Sequence, residues 1–140
     1  MSTPYTGQCL CGEIKYEVDE IASQMAHCHC KMCQKFHGAA FSTFAEAKLE
    51  DFRWLTGESL LVSYQADNGT VRRFCKQCGS SMTFAASNDS GKLIEFALGT
   101  LDSHVSQHPD AHVHTASKAI WFEINDDLPQ YSGDRLKNHK

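Results

Sequence analysis

No apolar run in this chain approaches the roughly 18 residues needed to cross a bilayer, and its first 30 residues show no apolar signal core behind a basic start. A soluble protein of the cytoplasm, with no membrane partner, is the resulting expectation. Positive charge is in short supply too: 13 Lys and Arg stand against 17 Asp and Glu, a net charge of −4. Phosphate backbones attract clustered positive charge, so nucleic acid is not expected as a principal ligand. Internal repeats, linkers and low-complexity stretches are missing as well. With 41% hydrophobic and 21% charged residues the chain can bury a core, and 140 residues suit a single domain spanning 1–140.

No cysteine stands alone. All seven fall in clusters: Cys9 and Cys11, then Cys28, Cys30 and Cys33, then Cys75 and Cys78. An odd count does not suit a disulfide framework, and C-x-C neighbours strain to bridge each other. Metals, by contrast, recruit closely spaced thiolates from short turns. Zinc is the expected occupant, with redox-active or buried structural thiols as the competing explanations.

The elements expected around these clusters are short strands. Ile14, Tyr16 and Val18 alternate with polar residues, the period-two pattern of a half-buried strand. Runs rich in Phe, Val, Ile and Thr suggest further strands at 40–46, 59–65, 71–74, 81–85, 93–98 and 119–123. Asn68-Gly69 marks a hairpin whose two turn positions can both take positive φ, and 88–91 supplies another turn. Helices are expected only as short pieces near 31–36, 47–52 and 101–104. The fold class is mainly β, with short helical turns, pinned by metal.

Residues i and i+2 of an extended segment point the same way, so Cys9 and Cys11 would present two sulfurs to one side and Leu10 to the other. Cys28 and Cys30 would do likewise. Cys30-Lys31-Met32-Cys33 and Cys75-Lys76-Gln77-Cys78-Gly79 have the spacing of zinc knuckles, with Gly79 free to take the positive φ that turns the chain. Seven thiolates can divide in two ways. Cys28, Cys30 and Cys33 can hold one ion, leaving Cys9, Cys11, Cys75 and Cys78 for a second. Alternatively, Cys30, Cys33, Cys75 and Cys78 share one structural zinc and the other three are spare. A four-thiolate site is coordinatively closed, whereas a three-thiolate site leaves a position for water or substrate.

Gly7-x-Cys9-x-Cys11-Gly12 with Tyr16, Cys28-His29-Cys30-x-x-Cys33-Gln34-Lys35, and Phe74-Cys75-x-x-Cys78-Gly79-Ser80 resemble the glutathione-dependent formaldehyde-activating enzyme and centromere protein V family. His112-Val113-His114, Lys118, Trp121 and Pro129-x-Tyr131 are similar to its closing segment, so the likeness runs from about Gly7 to Gly133. The resemblance implies a β-tent of several small coiled antiparallel sheets. It also implies a structural zinc on Cys9, Cys11, Cys75 and Cys78, and a second zinc on Cys28, Cys30 and Cys33. The activity it implies is the condensation of formaldehyde with glutathione to S-(hydroxymethyl)glutathione, and the reverse, a carbon–sulfur lyase reaction. The partners would be a small thiol and an aldehyde.

Coordination to zinc deprotonates a thiol, so an open zinc would present an incoming thiol as the nucleophile. His29, between two inward-facing cysteines, should point away from them. His112 and His114 share one side of a strand-like segment, where structural hydrogen bonds compete with metal binding or proton transfer. Lys31, Lys35, Arg72, Arg73 and Lys118 are candidates to receive the carboxylates of a glutathione-like ligand, against the alternative of solvated surface charge. Trp54, Trp121, Phe74 and Phe84 are expected to fill the core or cover the zinc sites. A non-catalytic, zinc-stabilised binding module of the same fold is the main alternative to an enzyme, followed by a redox or metal-storage role.

Overall fold

The computed structural model describes residues 3–135; the ends of the expected 1–140 span lie outside the described residues. The chain divides into two compact units, each assembled from two separated segments: 1–23 with 45–107, and 24–44 with 108–140. Both are mainly β.

The first unit holds two sheets. Strands β1 (Tyr5–Gln8), β2 (Lys15–Val18) and β5 (Phe52–Thr56) form one, antiparallel throughout and in the order β1-β2-β5. The period-two pattern at Ile14, Tyr16 and Val18 is realised there, since all three side chains are buried. Tyr16 stacks on Phe52 at 5.0 Å and meets Phe96 at 5.5 Å, while Phe52 meets Trp54 edge-on at 4.9 Å. Phe96 comes from the other sheet, so these rings are where the two sheets bury their facing sides. That second sheet runs from the end of β4 (Ser42–Lys48) through β9 (Leu93–Ala97), β8 (Ser81–Ala85) and β7 (Val71–Cys75) to β6 (Leu61–Gln65). The Asn68-Gly69 hairpin joins β6 to β7, with a difference. Ala66 donates to the Thr70 carbonyl at 2.8 Å, leaving a three-residue loop in which Gly69 takes φ 92° and Asn68 stays out of the left-handed region. The Asn68 side chain instead accepts from the Thr70 amide at 3.0 Å, a local bond that replaces the tighter turn.

In the second unit β3 (Ala26–Cys28) pairs antiparallel with the start of β4, and β10 (Ala111–Val113) pairs with β3 in parallel, setting His112 opposite His27 and Val113 opposite Cys28. The parallel pair departs from the expected all-antiparallel sheets. Helix α1 (Lys31–His37) follows β3. Two other expected elements differ. Residues 119–123 make a turn rather than a strand, with Ile120 97% exposed, because the Lys118 ammonium binds the carbonyls of Ala119 and Phe122 and folds the segment back. Residues 101–104 are not helical: Leu101 bridges Gly7 and the amides of Asp102 and Ser103 both donate to the Thr6 carbonyl. The expected helix at 47–52 shrinks to one 3-10 turn, Leu49–Asp51, between β4 and β5.

Candidate metal centres

Four sulfurs meet in the first unit. Cys9, Cys11, Cys75 and Cys78 bring their sulfurs within 4.8 Å of one another. The C-x-C pair sits in a turn rather than an extended stretch: the Gly12 amide donates to the Cys9 carbonyl at 3.0 Å, and Leu10, at the turn's tip, is 84% exposed. Opposite it, the knuckle after β7 closes through Gly79 N–H to the Cys75 carbonyl at 2.8 Å, with Gly79 at φ 82°. Amides are aimed at the sulfurs. Ile14 donates to Cys9 Sγ at 3.3 Å, and Gln77 and Cys78 donate to Cys75 Sγ at 3.3 and 3.5 Å. Ser80 ties the two turns together, its hydroxyl accepting from the Leu10 amide at 2.8 Å and lying 3.3 Å from Cys78 Sγ.

Three sulfurs meet in the second unit. Cys28 ends β3, Cys30 is the extended cap of α1 at φ −66° and ψ 154°, and Cys33 lies buried in the first turn of the helix. The Cys33 amide donates to Cys30 Sγ at 3.3 Å, so a thiol stands where a serine or aspartate usually caps a helix. The three sulfurs lie within 4.8 Å of one another, and among the described residues no fourth His, Cys, Asp or Glu donor joins them. Four plus three is therefore the division the fold produces. The alternative that pooled Cys30 and Cys33 with Cys75 and Cys78 is not what the chain assembles.

The protonation of these thiols reflects how closely their sulfurs are packed. Burial works against ionisation of Cys78, yet the hydroxyl and amide of Ser80 outweigh it and bring the thiol down to about 5. For Cys11 the Glu13 amide favours the thiolate, but burial and the crowded sulfurs of Cys9, Cys78 and Cys75 push it up to about 12. Cys28 is held far above the usual thiol range by the sulfurs of Cys30 and Cys33, with burial adding to the effect. Sulfurs packed this closely cannot all ionise without a cation among them. No disulfide relieves the crowding, since all seven cysteines are free. Tetrahedral zinc with Zn–S bonds of about 2.3 Å sets its sulfurs about 3.8 Å apart. Cys9 and Cys11 lie at 3.6 Å and Cys11 and Cys75 at 3.9 Å, so the donor set and its spacing are compatible with zinc.

The other sequence candidates fall into place around these groups. His29 points away from the sulfurs, as the alternation required, and is fully buried with Nε2 2.8 Å from His112 Nδ1. His112 and His114 do not share a strand face: β10 ends at Val113, and His114 takes φ 57° to start the one-turn segment Thr115–Ser117. Lys31 and Lys35 are exposed four residues apart on α1, and Arg73 is exposed on β7. Arg72 is buried with its guanidinium 5.5 Å from the Phe84 ring, so it is a core cation rather than a carboxylate receptor. Lys118 is occupied by backbone carbonyls. Trp54 joins the core rings, but Trp121 is 70% exposed and fills no core, because the turn that replaces the expected strand carries it outward. Asp126 was not anticipated. It accepts from His112 Nε2 at 2.9 Å, and its position in an irregular segment offers no periodic signal to find it by.

With that geometry in view, the chain compares with known proteins as follows. A protein of Rhodobacter sphaeroides with a crystal structure superposes with a TM-score of 0.60 at 23% identity, over 72% of this chain and 91% of that one, a likeness of fold. An uncharacterized lyase of Schizosaccharomyces pombe is 26% identical over 84 residues, 60% of this chain; the chain spans 59% of that relative's length. The family model described as "Glutathione-dependent formaldehyde-activating enzyme" matches residues 4–117, which take in both sulfur groups and stop short of Lys118, Trp121 and Tyr131. On that match the chain belongs to the glutathione-dependent formaldehyde-activating enzyme family.

Proposed function

We propose that the chain is a zinc-dependent carbon–sulfur lyase that joins a small, glutathione-like thiol to formaldehyde or a related aldehyde. Cys9, Cys11, Cys75 and Cys78 would hold a closed structural zinc, and Cys28, Cys30 and Cys33 an open one. The observation that carries this reading is the three-sulfur group: three donors from six consecutive residues, with no fourth among the described residues. In the addition, the S–H and C=O π bonds break, a C–S bond and an O–H bond form, and nothing is oxidised or reduced.

Zinc held by three thiolates would supply an open position that favours the ionised form of an incoming thiol. The remaining work falls to this chain's residues. The Cys33 amide steadies the charge on Cys30 Sγ. Gln34 donates to the carbonyls of His29 and Ser117 at 2.7 and 2.9 Å and so holds the sulfur-bearing bend against the segment after β10. Lys31 and Lys35, exposed along one side of α1, would receive the carboxylates of the thiol substrate. A reducing cytoplasm would keep all seven thiols available for metal. Metal analysis after chelator-free purification should return two zinc ions per chain. NMR exchange spectroscopy on glutathione and formaldehyde should show interconversion faster than the spontaneous rate. Two bound ions with no acceleration for glutathione or other small thiols would replace the enzyme reading with the binding module.

A further inference from the structure

A chain of three side chains runs from the surface of the second unit to the bend that carries Cys28 and Cys30. Asp126, at the exposed end, has its carboxylate steadied by the Leu128 amide at 3.0 Å and placed 2.9 Å from His112 Nε2. His112 Nδ1 then lies 2.8 Å from His29 Nε2. Both imidazoles are buried, and Phe41 packs against each.

The directions of these bonds follow from the carboxylate. An ionised carboxylate only accepts, so His112 Nε2 donates to it. In the neutral form of His112, whose one N–H is on Nε2, Nδ1 accepts and His29 Nε2 donates. His29 Nδ1 is then left as a bare lone pair, buried with no hydrogen-bond partner among the described residues. The order requires no proton to be gained or lost. It also fixes which way the His29 ring faces, and His29 is the residue between two of the three sulfurs, its amide already bonded to the Val113 carbonyl at 3.0 Å.

We infer that Asp126 and His112 are positioning residues of the three-sulfur site: through His29 they lock the Cys28-His29-Cys30 bend so that its two sulfurs stay directed at the metal. The inference rests on the metal assignment proposed above. It predicts a specific consequence of Asp126→Asn. The Leu128 amide would keep the asparagine oxygen, turning the NH2 group toward His112 Nε2, so that every bond in the chain reverses.

The test uses the full-length, zinc-loaded protein. Nitrogen-15 NMR should find the His29 proton on Nε2 in wild type and on Nδ1 in Asp126→Asn. Release of the second zinc to a competing chelator, identified as the phase missing in Cys33→Ser, should be roughly 10- to 100-fold faster in Asp126→Asn. The first zinc should leave at the wild-type rate. Asp126→Glu should restore both readouts toward wild type, and Asp127→Asn on the neighbouring exposed acid should change neither. An unaltered tautomer, or an altered one with unaltered release, overturns the inference even if the wild type holds two ions and is active. A wild type that holds a single ion overturns the metal assignment and the inference together. Two ions without catalysis would sink the enzyme reading alone, with the tautomer and release measurements still deciding this one.

Discussion

Gly7 shows how closely a single side chain, or its absence, is specified. It faces Tyr16 across the β1–β2 pair, and a Cβ there would stand 2.4 Å from the Tyr16 ring and hydroxyl and 2.6 Å from the Thr100 carbonyl. Tyr16 cannot swing aside, being fully buried with its hydroxyl 2.7 Å from Thr100 Oγ1. Gly7→Ala should therefore lower stability by about 1–3 kcal/mol through overpacking. Urea melts of the two proteins would show it as a lower midpoint at similar slope, and equal midpoints would contradict the packing described. The same lesson holds for Arg72 and Lys118. Their residue type alone suggested ligand contacts, but what they do is decided by the neighbours the fold supplies.

At the scale of elements, the second unit is stitched by irregular chain rather than by long strands. Arg135 grips Asp110 at 2.7 Å and also donates to the Met25 carbonyl at 3.1 Å, tying the end of the described chain to the loop before β10 and the residue before β3. The hydrogen bond from Arg135, against some burial, holds the Asp110 carboxyl below its ordinary range. A lowered folded pKa means the unfolded state binds more protons as the acid titrates. The stabilisation is thus complete above the unfolded carboxylate pKa, about 3.9, and is lost as pH falls through the folded value. Because Asp110 is half exposed, screening limits the contribution to about 0.5–1 kcal/mol. The gap between Arg135→Ala and wild type should narrow by that amount between pH 7 and about pH 2, leaving the part due to the Met25 carbonyl bond. A gap that is constant with pH would mean the loss is packing rather than charge.

Across the whole molecule the two sulfur groups differ in what they hold together. The four-sulfur group joins positions 64 residues apart, as between Cys11 and Cys75. Losing its metal would free two distant parts of a small core. The three-sulfur group spans only one bend and the start of a seven-residue helix. On the proposed zinc assignment and activity, Cys78→Ser should therefore melt far below wild type or express poorly, whereas Cys33→Ser should lose the second ion and the proposed thiol–aldehyde condensation while keeping most of its melting temperature. Calorimetry and metal analysis on the pair would decide. Equal losses of stability would mean that both sites brace the fold.

The cysteine spacings, the alternation at Ile14, Tyr16 and Val18, and the 81–85 strand were legible in the sequence because each is a local pattern, written in neighbours a few residues apart. The mainly β class followed from them, and the motif resemblance named the family that the family model then matched. The division of seven sulfurs into four and three was left open by spacing, since C-x-x-C turns look alike until the chain brings Cys9 and Cys11 beside Cys75 and Cys78. The parallel pairing of β10 with β3 and the bond from Asp126 through His112 to His29 were equally invisible. They join residues 14 to 85 positions apart, and no local propensity or periodicity encodes a contact that exists only once the backbone has closed on itself.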